Sequence, residues 1–336
     1  MANIVFSEGS GLNNSVFGKS QEPIKFFLEK RAEAFESQSM LPHLFSMMNS
    51  NNYAEKFSGM TAMSGFKPTG AGGEVPKDGM QETFSQTLEH MTWQNSFEIT
   101  REIIDDGKTI DLKQKPAAFI QGYHRTREQF GAALYAGAIG QKAAVKFEGK
   151  SFKATGADAL PLFHKAHPSI IAGNKKTQCN IFSDAFSKDA LGAMESSMQD
   201  FRGDNNEILN LAPDTIVIAN DYKLKDQVFS VIGADKDPAT ANNGFNYQFG
   251  RWNVIIWPYL NQFIGTGIRP WMLLDSSYNE ESKGAVWLDR TDLEVTSDVE
   301  RNRVNVWSGF ARFIAGFNDW RFAALGGMAG GNALVD

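Results

Sequence analysis

The chain has 336 residues, 42% of them apolar, which is enough for two or three domains around a sizeable core. Its 39 acidic against 33 basic residues give a formal net charge of -6, which excludes a protein that works mainly by holding nucleic acid on a clustered basic surface. A single cysteine, Cys179, excludes an intrachain disulfide framework and any multi-thiolate metal site built from one chain, and it fits a reducing compartment.

No run of 18 apolar residues occurs, and Met1 to Gly18 has neither a basic start nor an apolar core. The expectation is synthesis in the cytoplasm, with no membrane span and no signal peptide. The combination of 26 Phe and 7 Trp with 31 Gly suits extended arms that bury themselves against neighbours, and suits an ordinary α+β enzyme equally.

Residues 1–20 are rich in Ser, Gly and Asn and read as an arm. The segment IKFFLEKRAEAFE after Pro23 reads as a short helix with Phe27, Leu28, Arg31 and Phe35 near one face, poised to dock on a partner. From Asn52 to Gly79, repeated glycines with Pro68 and Pro76 break any helix and most central strands. Alternation then resumes, first at Phe84, Gln86 and Leu88, then at Phe97, Ile99, Arg101 and Ile103, which predicts two strands. Residues 53–106 thus form a two-stranded excursion too thin to bury its own apolar face, and this points to assembly. A hairpin packed on its own domain is the alternative.

From Pro116 to Ile139, apolar residues recur at three- and four-residue steps, which predicts one long amphipathic helix, a spine for the fold. Pro116 suits the first helical position and Gly140 the left-handed position past the end. The internal Gly122, Gly131 and Gly137 either mark close packing or show these bounds to be too generous.

Beyond the spine, residues 143–157 read as an exposed hairpin or loop. His164 and His167 are three apart, a metal-ligand spacing on a helix, but Pro168 and the lack of an intervening Glu favour a structural role. Ser187 to Phe201 is a helix with Leu191, Met194, Met198 and Phe201 on one face. After Pro213 the run TIVIAN is a strand, Tyr222 to Ile232 a helix, residues 235–244 a surface loop, and Trp252 to Trp257 a strand stopped by Pro258. PWMLLD, GAVWLD and the alternating stretch after Leu293 predict a long antiparallel sheet whose partner is the spine helix. Residues 141 to about 265 then form an α/β domain inserted between two halves of another.

This order of parts resembles the major capsid protein of tailed phages, the Hong Kong 97 type fold, and more closely the phage Mu-like major head subunit family. The closer likeness is carried by Leu162-Phe163-His164-Lys165-Ala166-His167-Pro168, the helix Leu191 to Met198, the strand Pro213 to Ile218, and Asp319-Trp320-Arg321-Phe322. The resemblance implies an α+β fold with an N-terminal arm (1–52), an extended loop (53–106), a peripheral domain holding the spine (107–140 and 266–336) and an axial domain (141–265). It implies pentamers and hexamers tiling an icosahedral shell, assembled in the host cytoplasm and present in the virion, with double-stranded DNA held non-specifically inside. A separate scaffolding protein, a portal and a decoration protein are the further partners it implies. The inter-subunit contacts expected are Phe66, Met80, Phe84 and Trp93 from the loop and Phe26, Phe27 and Phe35 from the arm.

An encapsulin-type nanocompartment shell shares the fold and is the alternative. For an enzyme, the sequence has no Gly-x-Ser-x-Gly elbow, phosphate loop, dinucleotide fingerprint or His-Glu-x-x-His. The paired carboxylates Asp105-Asp106 and Glu280-Glu281 read as solvated charge. No catalytic residue, metal or cofactor is expected.

Overall fold

A computed structural model of the chain describes residues 5–6, 35, 37–60, 82–105, 109–171, 177–233, 245–265, 267–299 and 304–327, with 66, 68, 69, 74, 77 and 79 in between. Two β-sheets organise it. The first is built on two long antiparallel strands, β11 (Ala285–Val299) and β12 (Asn305–Phe317), paired from Ala285 with Phe317 to Val299 with Asn305. β5 (Met91–Ile99) pairs with β12 on one side, while β1 (Val5–Phe6) and β2 (Ser46–Asn49) run parallel to β11 on the other. The second sheet has the order β13 (Ala323–Gly326), β10 (Trp271–Leu274), β8 (Thr215–Ala219), β9 (Asn253–Trp257). Every position of β8 and β10 is buried, as expected of short apolar central strands covered on both faces.

Two hairpins stand apart from these sheets. β3 (Ala54–Met60) pairs with β4 (Glu82–Glu89), and β6 (Ala144–Phe147) pairs with β7 (Lys150–Lys153). The helices are α1 (Leu41–Leu44), α2 (Arg101–Asp105), α3 (Thr109–Ile139), α4 (Lys188–Gln199), α5 (Tyr222–Ile232) and α6 (Ser276–Ser282). Ser187 caps α4 by accepting from the Ala190 N–H, and Asp221 caps α5 by accepting from the Leu224 N–H.

The spine helix α3 is longer than the sequence periodicity implies. It begins at Thr109, so Pro116 lies inside it and is buried, rather than occupying its first position. Its 31 residues span about 46 Å. At the other end Gln141, not Gly140, takes the left-handed backbone, with φ 53°, and the Lys142 N–H closes the helix on the Gly137 carbonyl. Gly131 and Gly137 mark close packing: a Cβ would fall 2.7 Å from Leu41 Cδ2 at the first and 2.0 Å from Val145 Cγ2 at the second. Gly122 has open space and packs against nothing.

The predicted partnership of spine and sheet is present and is mostly aromatic. The Phe130 ring lies 5.4 Å from Trp93, 5.9 Å from Trp287 and 6.2 Å from Phe313. Inside this cage Arg127 forks onto Asp289 of β11, with Nη1 and Nη2 donating at 2.7 and 2.8 Å, and its guanidinium sits 4.9 Å from the Trp287 ring. Burial opposes the Arg127 charge, but Tyr123 and Asp289 outweigh it and hold its pKa above the ordinary value. The next residue, Glu128, joins three elements. Its carboxylate accepts from Ser39 Oγ and the Met40 N–H ahead of α1, and from Trp257 Nε1 at the end of β9.

Four sequence expectations change. β5 belongs to the first sheet, so the two-stranded excursion is the β3–β4 hairpin alone. Arg101 to Asp105 is helical, because the alternation ends at Ile99 where β5 leaves β12. α6 was not expected; its start is signalled only by Asp275, which accepts from the Tyr278 N–H. Finally β10 and β13, from the 266–336 segment, complete the second sheet around β8, so that sheet is not built from residues 141–265 alone. The expected helix after Pro23, apart from Phe35, and the loop 235–244 lie outside the described residues.

Arg127→Ala leaves the Asp289 carboxylate buried without its fork and should cost about 3–5 kcal/mol in denaturant unfolding; a loss under 1 kcal/mol would mean the cage, not the pair, holds the spine. His124, half-buried beside Phe35, has its pKa lowered to about 4, first by burial and then by the Arg127 charge. A folded-state pKa below the unfolded value near 6.5 means the native chain binds protons more weakly, so stability is full above pH 6.5 and falls between pH 6.5 and 4. The melting temperature of His124→Gln should fall less than that of the unaltered chain across that window, and parallel profiles would refute the assignment.

Candidate functional site

Of the side chains expected to make inter-subunit contacts, Phe35, Phe66, Phe84 and Trp93 are among the described residues. Trp93 is half-buried against the first sheet, stacked on Phe313 with centroids 4.8 Å apart, its Nε1 donating to the Phe313 carbonyl at 3.1 Å. Because β5 pairs with β12, alternation turns Trp93 toward α3, where Phe130, Phe147 and Phe152 complete the cluster. Phe35 is half-buried, its ring 5.5 Å from His124 of its own spine helix. Phe84 is half-buried at the hairpin, lining a cleft of about 530 Å³ with Tyr278, Trp320 and Arg321. Phe66, between β3 and β4, is fully exposed at 110%. Phe26, Phe27 and Met80 lie outside the described residues.

The histidine motif and the Asp-Trp-Arg-Phe motif, about 150 residues apart, meet in space. The His167 ring stacks on Trp320 at 4.2 Å, its Nδ1 is 2.6 Å from Asp158 Oδ2, and its Nε2 is 3.2 Å from Asn180 Oδ1. Asn180 is fixed in turn, donating through Nδ2 to the carbonyls of Leu162 and Ala323. Arg321 pairs with Asp319 and Asp204, and these carboxylates overcome the effect of burial to raise its pKa. Both ring nitrogens of His167 are thus engaged by protein groups, and the Ala166 N–H donates to Nδ1 of His164. The residues are not helical, so the i, i+3 metal geometry does not form. This knot ties the irregular chain between β7 and α4 to β13.

The most unusual surface lies beside α5, and the sequence reading missed it. Phe245, Tyr247 and Phe249 face outward, Phe245 at 83% exposure, whereas the intervening Asn246 and Gln248 are 2% and 0% exposed. This inverts ordinary patterning, in which aromatics go in and amides out. The amides are satisfied inside: Asn246 Nδ2 donates to the Val231 carbonyl at the end of α5, while Gln248 bonds Glu195 of α4 and accepts from Trp252 Nε1. Tyr222, 72% exposed, and Phe229 add two more aromatics on α5 itself. Alternation Phe-Asn-Tyr-Gln-Phe was visible in the sequence, but alternation alone does not tell which parity is buried. A set of exposed aromatics anchored by buried amides is a surface shaped for contact. Among the described residues, no three His, Cys, Asp or Glu side chains gather as a metal-ligand set.

A protein family described as "Phage capsid protein" matches residues 85–325 of this chain. Comparison with curated protein sequences finds no match. Among solved structures, one titled "Mycobacterium phage Patience" superposes with a TM-score of 0.52 at 11% identity, covering 98% of this chain and 94% of that one. "Capsid structure of the Cyanophage P-SCSP1u" gives 0.49 at 11% identity over 84% and 86% of the two chains. "Crystal structure of virus-like particle from Pyrococcus furiosus" gives 0.47 at 7% identity over 90% and 97%. At these identities only the first, above 0.5, supports an inference, and it concerns the fold.

Trp93→Ala should cost about 2–3 kcal/mol of folding stability, below the loss for a fully buried aromatic because the ring is half-buried. Phe66→Ser and Phe245→Ser should each stay within about 0.5 kcal/mol, as exposed positions do. Urea unfolding of the three variants checks the ranking, and an inert Trp93→Ala would return that residue to the surface.

Proposed function

The chain belongs to the phage capsid protein family, and from that premise we propose that it closes into pentamers and hexamers of an icosahedral shell around double-stranded DNA. Its fold is of the Hong Kong 97 type. The observation that carries the reading is the family match over residues 85–325, which spans α3, the strands β5, β11 and β12 of the first sheet, nearly all of the second and the α5 surface. The role is structural: many modest contacts, multiplied around closed symmetry, make a stable shell.

Two surfaces fit such contacts. The β3–β4 hairpin, with Phe66 exposed beyond it, is the extended loop that overlaps a neighbour. The outward aromatics Phe245, Tyr247 and Phe249 lie on the axial unit, toward the capsomer centre. In this reading the peripheral unit is α3 with the first sheet, and the axial unit draws β10 and β13 into its sheet beside β8 and β9. A separate scaffolding protein, a portal and a decoration protein complete the assembly in the host cytoplasm, and the interior holds DNA without sequence preference. The narrower likeness to Mu-like head subunits is supported by the meeting of the His167 and Trp320 motifs in one knot.

Negative-stain microscopy and sedimentation of the purified chain test the reading. Rings, tubes or closed particles are expected. The triple variant Phe245→Ser, Tyr247→Ser, Phe249→Ser should keep the same unfolding transition yet need at least about tenfold more protein to assemble, since 1.4 kcal/mol corresponds to tenfold. A chain that stays monomeric at high concentration, with and without its candidate scaffold, would overturn the proposal.

A further inference from the structure

Arg312, on the face of the first sheet turned away from α3, and Arg290, at the adjacent register shift of β11, have no carboxylate partner among the described residues. Along the β5–β12 ladder Met91 pairs with Phe313 and Thr92 with Arg312. Side chains alternate, so Trp93 and Phe313 face α3 while Arg312, Thr92 and the preceding His90 share the opposite face. Arg290 lies in β11 where the register shifts between Asp289 and Thr291, and Thr291 pairs with Arg312. His90 is 6% exposed, and among the described residues neither of its ring nitrogens has a partner; Arg312 Nε is likewise buried without one. Burial first, and then the charges of Arg290 and Arg312, lower the pKa of His90, with Glu55 and Asp289 pulling the other way.

Those two carboxylates are already committed. Glu55 accepts from Ser50 Oγ at 2.7 Å and Asn52 Nδ2 at 2.8 Å, while Asp289 is held by Arg127 and by Trp287 Nε1. No ion pair or hydrogen bond engages the side chains of Arg290 and Arg312 among the described residues. Guanidinium forks beside a dry imidazole match a planar oxyanion. A nucleic-acid backbone would need a longer track of cations than these two arginines provide. A copy of this chain, with its excess of acidic residues, has the complementary charge.

Resting on the shell reading above, we propose that the guanidinium groups of Arg312 and Arg290, beside the buried His90, receive a carboxylate side chain from a second copy of this chain. They then form an assembly lock, distinct from the aromatic surface beside α5. The test compares Arg290→Gln, Arg312→Gln and the double variant with the unaltered chain by sedimentation and light scattering across protein concentration, alongside thermal unfolding. The double variant should need at least about tenfold more protein to assemble, with the melting temperature of the unassembled subunit unchanged, and Arg312→Lys should recover only part of the loss. Assembly equal to that of the unaltered chain would overturn the proposal. So would a loss of assembly that only tracks a lowered melting temperature, or a loss confined to binding of a short DNA duplex. If the unaltered chain itself never assembles, the shell reading fails first, which keeps the two failures distinct.

Discussion

Asp289 sits where β11 changes register, and Arg127 reaches it from the middle of α3 through a cage of Tyr123, Trp287 and Phe313. A buried ion pair gains little net stability over an apolar pair of the same shape, because desolvation offsets most of its attraction. What it does impose is position. The fork requires Asp289 to face the helix, so the irregularity in β11 and the rotation of α3 about its own axis are set together. Glu128, one residue on, then binds the segment ahead of α1 and the indole of Trp257, so the same helical turn fixes the second sheet against the first.

That arrangement suits a shell subunit. Each long element buries its apolar side within the chain: α3 on the first sheet, β8 and β10 between their neighbours, and the chain around His167 against β13. Among the described residues the core lies within one copy, and the features left outward include a thin hairpin, a set of aromatics held out by buried amides, and the arginines proposed to take a neighbour's carboxylate. Contacts of this kind are weak singly. Repeated around a closed ring they become strong collectively, without demanding that any single interface resemble a domain core.

Much of the architecture was legible in the sequence. The spine helix, the helix after Ser187 with its cap, the strand after Pro213 and the hairpin after Ala143 follow from periodicity and end signals that act locally. Pro116 misled because its cost is local while the packing that outweighs it is not: as the eighth residue of α3 it forfeits one helical hydrogen bond, at about 3 kcal/mol, and the burial of the helix offsets this. Gly140 misled because the left-handed residue is set by which carbonyl the chain closes on, and Gln141 serves. The pairing partner of residues 91–99 was not legible, because the strand reads the same whether it pairs within a hairpin or with a distant β12.

By itself the sequence determined most of the longer helices and strands and which face of those helices is apolar, since these depend on residues a few positions apart. Only the tertiary structure decided which strands pair, that Arg127 meets Asp289 and His167 meets Trp320, and that at 245–249 the amides go inside and the aromatics outside. Those outcomes depend on partners as much as 289 residues away, the separation of Val5 from Glu294. Alternation records that two faces differ but not which one the rest of the chain will cover.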